Sequence, residues 1–344
     1  MRSSGAARLG TVVITTIQAP TDSVKAMLLK AESAGFDLIA IGDRKTPDAS
    51  WPRGARYYSV AQQIACDLEF ARVAPLNHYS RKNIGYLIAM ANGAQVIFDT
   101  DDDNAPLETW KRRAPETKAR ACRQAGWVNV YQWFSDAHVW PRGLPLDHAR
   151  YHRSLPELEE RSEVIAPIQQ GLANGSPDVD AVWRLLMDRD LHFRTGDSVL
   201  LPEGTWCPFN SQSTWWFPQV YPLMYLPSFV SFRMTDIWRS FVAQRCLWAL
   251  GYGLVFHGPE MFQDRNTHDL MRDFEQEIPG YLGNDKIRAV LGRTVLESGP
   301  NAAADNCHRC YEALVKANLV PAEEMSLLES WLSDVDRLLR LIAA

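Results

Sequence analysis

Residues 94–98, Ala-Gln-Val-Ile-Phe, form a short apolar run that ends in Asp99-Thr100-Asp101-Asp102-Asp103-Asn104. Four carboxylates within five positions repel one another, and a fold holds them only where solvent or a cation relieves the charge. In a parallel α/β sheet, ligands gather just beyond the carboxyl ends of strands. The cluster therefore predicts a strand end opening on a binding crevice. On extended chain, alternate residues point the same way, so Asp101 and Asp103 are expected on one side and Asp102 on the other. Two convergent carboxylates suit Mg²⁺ or Mn²⁺, hard cations that also take phosphate oxygens. An Asx-rich surface turn is the competing reading.

The start of the chain supplies the sheet. Residues 11–17 are β-branched throughout and read as a buried strand. Pro20-Thr21-Asp22 opens a helix with Val24, Met27, Leu28 and Ala31 at helical spacing, and Gly35 closes it. Residues 36–42 form a second apolar strand, ending at Asp43-Arg44-Lys45. This β-α-β opening predicts an α/β fold, with a mostly parallel sheet flanked by helices. Residues 59–74 read as one helix, and a polar segment, 78–83, opens another through Ile84, Leu87, Ile88 and Met90. Residues 127–230 are rich in Pro and Trp and show few clear periods. Helical spacing returns at 234–250 and again at 305–344, which reads as two helices. The last of these carries the apolar stripe Leu327, Leu328, Trp331, Leu332, Val335, Leu338, Leu339 and Ile342. That stripe packs on the body or on a second copy, so a homodimer through the C-terminal helices is an expectation.

The 344 residues carry 36 Lys and Arg against 41 Asp and Glu, a net charge of −5 that argues against nucleic-acid binding through a basic face. No stretch approaches the ~18 continuous apolar residues of a membrane span. With no secretory leader and no spaced disulfide framework among six Cys, the expected location is cytoplasmic. Cys307-His308-Arg309-Cys310 is the one CxxC and has no second pair for zinc, so ordinary helix cysteines are expected. Twelve Trp are many for this length. Trp206, Trp215, Trp216 and Trp238 fall in the later half, where stacking on sugar faces competes with core packing.

The strand ending in Thr100-Asp101-Asp102-Asp103-Asn104 resembles the DxD segment of glycosyltransferases with the GT-A (Rossmann-type) fold. More specifically, the chain resembles the STELLO family of glycosyltransferase-like proteins. The resemblance covers 42–47, 80–86, Trp140-Pro141-Arg142-Gly143, Asp178-Val179-Asp180-Ala181, Pro208-Phe209-Asn210-Ser211-Gln212, 233–245, 263–268 and Asp273-Phe274. A more distant similarity is to the reversibly glycosylated polypeptides, which act as UDP-arabinopyranose mutases. They share an Arg-Lys-Asn-Ile-Gly-type segment and a triple Asp. Plant STELLO proteins are Golgi membrane proteins. This chain shows no anchor-like run, so a Golgi role is not expected.

The resemblance implies a GT-A-like domain over 1–290, with a nucleotide-binding half at 11–105, an acceptor half at 106–290 and a helical extension at 291–344. It implies a metal-dependent glycosyltransferase using a nucleotide-diphosphate sugar, UDP-linked by expectation, and an acceptor the sequence does not name. A nucleotide-sugar mutase and a non-catalytic scaffold are the alternatives. By analogy, Asp101 and Asp103 hold Mn²⁺ or Mg²⁺, with His257 and His268 as candidates for a further ligand. Thr16, Asp43, Lys45, Arg81, Lys82, Asn83, Asp101, Asp102 and Arg265 are the candidates for the nucleotide and its diphosphate. An inverting enzyme needs a base for the acceptor hydroxyl, and Asp236 is the choice, with Asp180 second. An N-cap role, or an ion pair with Arg233 or Arg239, competes for Asp236.

Overall fold

The computed structural model describes residues 9–149, 155–187, 189–264 and 269–343. β1 (Gly10–Thr15) leads to the helix Asp22–Ser33, which Thr21 caps by accepting from the Val24 amide at 3.1 Å. This helix buries Val24, Met27, Leu28 and Ala31, the positions its spacing marks, and Gly35 ends it with φ +77°. β2 (Phe36–Ile41) runs parallel to β1. β3 (Ala55–Tyr58) adds outside β2, and β4 (Ile97–Asp99) lies on the other side of β1, both parallel. Successive residues of β1 and β2 feed opposite faces. Val12, Ile14, Leu38 and Ala40 join one core, and Val13, Ile39 and Ile41 join the other. Both faces are covered, which is why these strands are apolar throughout.

The stretch expected to be one helix at 59–74 is two, Val60–Ile64 and Glu69–Val73. The second is capped from outside: Asp334, near the end of the chain, accepts from the Phe70 amide at 2.9 Å. No local pattern carries that contact.

The irregular middle and the segments flanking it supply the rest of the sheet: β5 (Asn104–Pro106) and β6 (Glu116–Cys122) before it, β8 (Leu158–Ile165), β9 (Ile168–Gly175), β10 (Val199–Leu201) and β12 (Thr214–Trp216) within it, and β13 (Leu254–Gln263) after it. β7 (Gly126–Trp127) and β11 (Thr205–Trp206) form a separate ladder. The order across the large sheet is β3-β2-β1-β4-β12-β9-β13-β10-β6-β8, with β5 on β13. β12 is antiparallel to both β4 and β9, while β13 is parallel to β9. β4 and β13 therefore run the same way, and their carboxyl ends meet at one edge of the sheet. The architecture is α/β: a large mixed sheet flanked by helices, consistent with a GT-A-like fold.

Three helices close the chain: Leu270–Arg293, Ala303–Lys316 and Glu324–Ala343. On the last, Leu327, Leu328, Trp331, Val335 and Leu338 are buried against the body. Trp331 packs against Phe70, Tyr86 and Tyr225 and donates to the Pro222 carbonyl at 3.0 Å. Glu324 accepts from the Ser228 and Phe229 amides at 2.8 and 2.7 Å. Five of the eight stripe positions are thus buried within the subunit, and Leu332 and Leu339 are half-buried. Cys307 and Cys310 are buried on their helix, with Cys310 Sγ 3.8 Å from Cys246 Sγ. Among the described residues, no helix is long and apolar enough to cross a membrane.

Because Trp331 joins the C-terminal helix to the sheet-side core, Trp331→Ala should destabilise the whole chain by about 3–5 kcal/mol. Denaturant unfolding checks this. A separate early transition, with the main one unmoved, would show that the C-terminal helix is not integral to the body.

Candidate active site

The carboxyl end of β4 is a buried electrostatic junction. Lys82, fully buried at the start of the Lys82–Ala91 helix, places Nζ 2.7 Å from Asp99, 2.9 Å from Asp101 and 2.5 Å from the Thr100 carbonyl. Arg239, on the Thr235–Ala249 helix, reaches the other oxygen of Asp99 at 3.0 Å and Ser211 Oγ at 2.8 Å, with its guanidinium over the Trp216 ring. Burial disfavours the Lys82 charge, but Asp101 and Asp99 outweigh it and hold the ammonium protonated.

Beyond Thr100 the chain turns, so strict alternation ends and the three carboxylates diverge. Asp101 accepts from Lys82 and from Tyr79 Oη at 2.8 Å. Asp102 accepts from Thr16 Oγ1 at 2.5 Å, which ties the end of β1 to the cluster, and Thr21 Oγ1 donates to the Asp102 carbonyl. Asp103 accepts from Gln263 Nε2 at 3.0 Å, at the end of β13, and from Asn104 Nδ2 at 3.0 Å. Burial pushes the Asp103 carboxyl up to about 7, with the charges of Asp101 and Asp102 adding to it. The cluster is therefore a place where negative charge is crowded and under-neutralised.

A narrow cleft of about 80 Å³ opens beside it, reached by Asp101, Gln212 and Gln263 on one side and by Arg142, Asp178, Arg184, Arg233 and Asp236 on the other. Arg142 is the hub of the second side. It forks onto Asp178 at 2.7 and 2.9 Å and onto Asp236 at 3.1 and 2.9 Å, and it also donates to the Arg233 carbonyl. Gly143 allows this approach. Its φ is +90°, and a Cβ there would lie 2.4 Å from Ile237 Cγ2. Arg233 pairs in turn with Glu277 at 2.8 Å. Gln212 joins the two sides by accepting from the Asp178 amide and donating to Gln263 at 2.7 Å.

The expected residues separate into three groups. Thr16, Lys82, Asp101, Asp102 and Asp103 converge at the end of β4. Asp43 stands at the end of β2, where it accepts from the His78 amide at 3.0 Å, and Lys45 is exposed nearby. Arg81 and Asn83 turn inward. Arg81 gives its guanidinium to Gln63 and to the carbonyls of Ala74 and Pro75, and Asn83 makes paired bonds with Leu226 at 2.9 Å. They position the helix that carries Lys82 and do not face the cleft. His257 is not brought to the Asp cluster. Both its ring nitrogens are engaged, with Ser198 at 2.7 Å and Gln169 at 2.9 Å, beside a different cavity. Arg265 and His268 lie outside the described residues.

Of the two expected bases, Asp236 lines the cleft, and its ion-pair partner is Arg142 rather than Arg233 or Arg239. Burial works to raise its carboxyl, but Arg142 outweighs burial and holds it below its ordinary value. Asp180 is sealed from solvent. It accepts from Trp140 Nε1 at 2.6 Å and from the Trp183 amide at 2.8 Å, capping the Ala181–Met187 helix, and burial pushes its carboxyl up to about 7. The stacking reading fails for Trp206, Trp215, Trp216 and Trp238, all of which are buried in the cores. The residues that sequence reasoning left without a role are Arg142, Arg184, Arg233, Gln212 and Gln263. They stood inside or beside short motifs far apart in the chain, and only the fold brings those motifs to one cleft.

Two predictions follow from these charges. Lys82→Met removes the cation between two carboxylates and should destabilise the fold by about 3–5 kcal/mol, read by chemical denaturation. Asp180 carries a proton in the folded chain at pH values where the unfolded chain has lost it. Its contribution to stability is therefore present at low pH and is lost as pH rises from about 4 to about 7. Asp180→Asn should consequently gain stability relative to wild type across that window, measured as the difference between paired melts. A flat difference would mean that Asp180 ionises normally.

Residues 233–341 match the family model described as STELLO glycosyltransferases. The chain is 27% identical to "Probable glycosyltransferase STELLO2" of Arabidopsis thaliana, over 94% of this chain and 44% of the relative. It is 28% identical to "Probable glycosyltransferase STELLO1" of the same plant, over 72% of this chain and 34% of the relative. The chain thus spans less than half the length of these relatives. The matched residues include Arg233, Asp236 and Arg239, which build one wall of the cleft and the junction behind the Asp cluster. The chain thus matches the STELLO glycosyltransferase model over its C-terminal third and is similar to the two STELLO relatives along most of its length.

Proposed function

We propose that this chain is a metal-dependent glycosyltransferase that takes its sugar from a nucleotide diphosphate, UDP-linked by preference. One observation carries the reading: Asp101, Asp102 and Asp103 crowd at the carboxyl end of β4, with the Asp103 carboxyl raised to about 7 by burial and like charge. Such a site gains from a cation. The donor set fits Mn²⁺ or Mg²⁺, since these cations take one or two protein carboxylates, with phosphate oxygens and water completing the shell. Among the described residues, no group of three or more ligating side chains converges. When bound, the cation would neutralise charge on the departing nucleotide diphosphate.

The chain's own residues take these roles. Asp101 and Asp103 would hold the cation. Asp102, fixed by Thr16, would take the ribose, and Asp43 and Lys45 the base. Lys82 offsets the charges of Asp99 and Asp101 and so limits the repulsion between these carboxylates. Asp236 is the acceptor-side carboxylate. Arg142 keeps it ionised and aimed into the cleft, ready to accept a hydrogen bond from the acceptor hydroxyl. Arg184 and Arg233 add positive charge opposite the Asp cluster, suited to the negative donor.

A panel of nucleotide sugars, with and without Mn²⁺, tests this by thermal shift and then by transfer or donor hydrolysis. The matching donor at a hundredfold excess over its Kd should stabilise the fold by about 2.7 kcal/mol, and the shift should require metal. Asp103→Ala should lose that metal-dependent shift. Asp236→Asn should keep donor binding and lose transfer. A ring isomer formed without acceptor would make the protein a mutase. If no nucleotide or nucleotide sugar shifts the melt with metal present, the reading fails and a scaffold role takes its place.

A further inference from the structure

β13 is not paired continuously along one of its edges. It pairs with β10 through residues 254–256 and with β5 through residues 261–263. Between them, residues 257–260 pass through two register shifts around Pro259 and have no strand beside them on that edge among the described residues. The gap opens as a cavity of about 570 Å³. Glu260 and His257 lie three and six residues from Gln263 on β13, so the cavity floor runs from about 10 to about 20 Å from the Asp cluster at ~3.3 Å per residue.

The floor is polar, buried and satisfied. His257 bridges Ser198 and Gln169, and Glu260 accepts from Trp215 Nε1 at 2.9 Å and from Arg113 Nε at 2.7 Å. The walls are cationic: five Lys or Arg stand against three carboxylates, in a chain whose net charge is −5. Arg113 is committed to Glu260. Lys118 and Arg161 hold only exposed partners, Glu163 at 3.6 Å and Asp197 at 3.8 Å, and such pairs are weak and exchangeable. Lys111 and Arg112 have no carboxylate partner among the described residues. The positive field reaches the floor. Burial, with Arg113 and Lys111 adding to it, holds His257 well below the ordinary imidazole range, so the ring is neutral.

We propose that this cavity binds a small soluble ligand carrying two or more phosphate groups, at a site separate from the sugar-transfer cleft. The exchangeable cations lie on three elements: the 111–113 loop, β6 and β8. That spread suits a multivalent anion better than a single charge, and guanidinium groups match phosphate oxygens in a fork. The assignment does not depend on the proposed transfer reaction.

Calorimetric titration of the full chain with inorganic pyrophosphate in EDTA, at low and raised salt, tests it. Binding should appear at low salt, weaken as salt rises, and fall about tenfold or more in Lys111→Ala/Arg112→Ala. Both residues are exposed, so the melting temperature of that variant should hold. Arg233→Ala, which removes a cation of the transfer cleft, should bind pyrophosphate as wild type does. The proposal is overturned if wild type shows no binding or if the double variant binds undiminished. It is also overturned if Arg233→Ala abolishes binding while the chain stays folded, which would put the anion in the transfer cleft, or if citrate binds as tightly as pyrophosphate, which would mean that charge alone is read.

Discussion

The buried pairing of Lys82 and Arg239 with Asp99 is the constraint on which the rest of this structure depends. Asp99 is the last residue of a central strand and has no solvent access. A lone carboxylate there would be prohibitive, so two cations from two different helices converge on it at 2.7 and 3.0 Å. Those helices, Lys82–Ala91 and Thr235–Ala249, are thereby fixed against the end of β4. One carries Lys82 on to Asp101, and the other carries Asp236 into the cleft. The charge that must be hidden at Asp99 therefore sets the frame around charges that must stay available.

The two sides of the cleft obey opposite electrostatic rules. Asp178 and Asp236 share one guanidinium, so both are geometrically fixed, and Arg142 holds the Asp236 carboxyl below its ordinary value. Asp102 and Asp103 have only neutral hydrogen-bond donors, and burial leaves both with raised proton affinity. Carboxylates of the same type, brought close by one fold, thus divide into a pair that shares one guanidinium and a pair with no cationic partner among the described residues. This division comes from which side chains surround each group, not from the residue type.

Much of the first hundred residues was legible because their pattern is local. The strands at 11–17 and 36–42, the helix buried through Val24, Met27, Leu28 and Ala31, and the strand entering Asp99 all recur in the structure. Each is driven by apolar periodicity that the neighbouring residues alone define. β9 and β13 were illegible for the opposite reason. β9 contains Gln169 and Gln170, buried polar residues whose hydrogen bonds reach the distant Ala114, His257 and Asn210 as well as near neighbours. β13 contains Gly258-Pro259, which reads as a turn but is a bulge inside a strand. The Pro- and Trp-rich middle looked like loop because its strands are short and their pairing is entirely non-local.

At the site, the sequence by itself determined the crowding of Asp99 to Asp103, because adjacency in the chain guarantees it. It also determined that the cluster ends an apolar strand in an α/β fold. Only the tertiary structure decided the partners. It aimed Arg81 and Asn83 inward and Lys82 at two carboxylates, sealed Asp180 beneath two tryptophans, and carried His257 to another cavity. It joined Arg142 to Asp236 across 94 positions, and it buried five positions of the C-terminal stripe within the subunit. The physical reason is the same in each case. A charge or hydrogen bond in a buried place takes its meaning from whatever lies within about 3 Å, and in this chain those neighbours come from segments tens to hundreds of residues away.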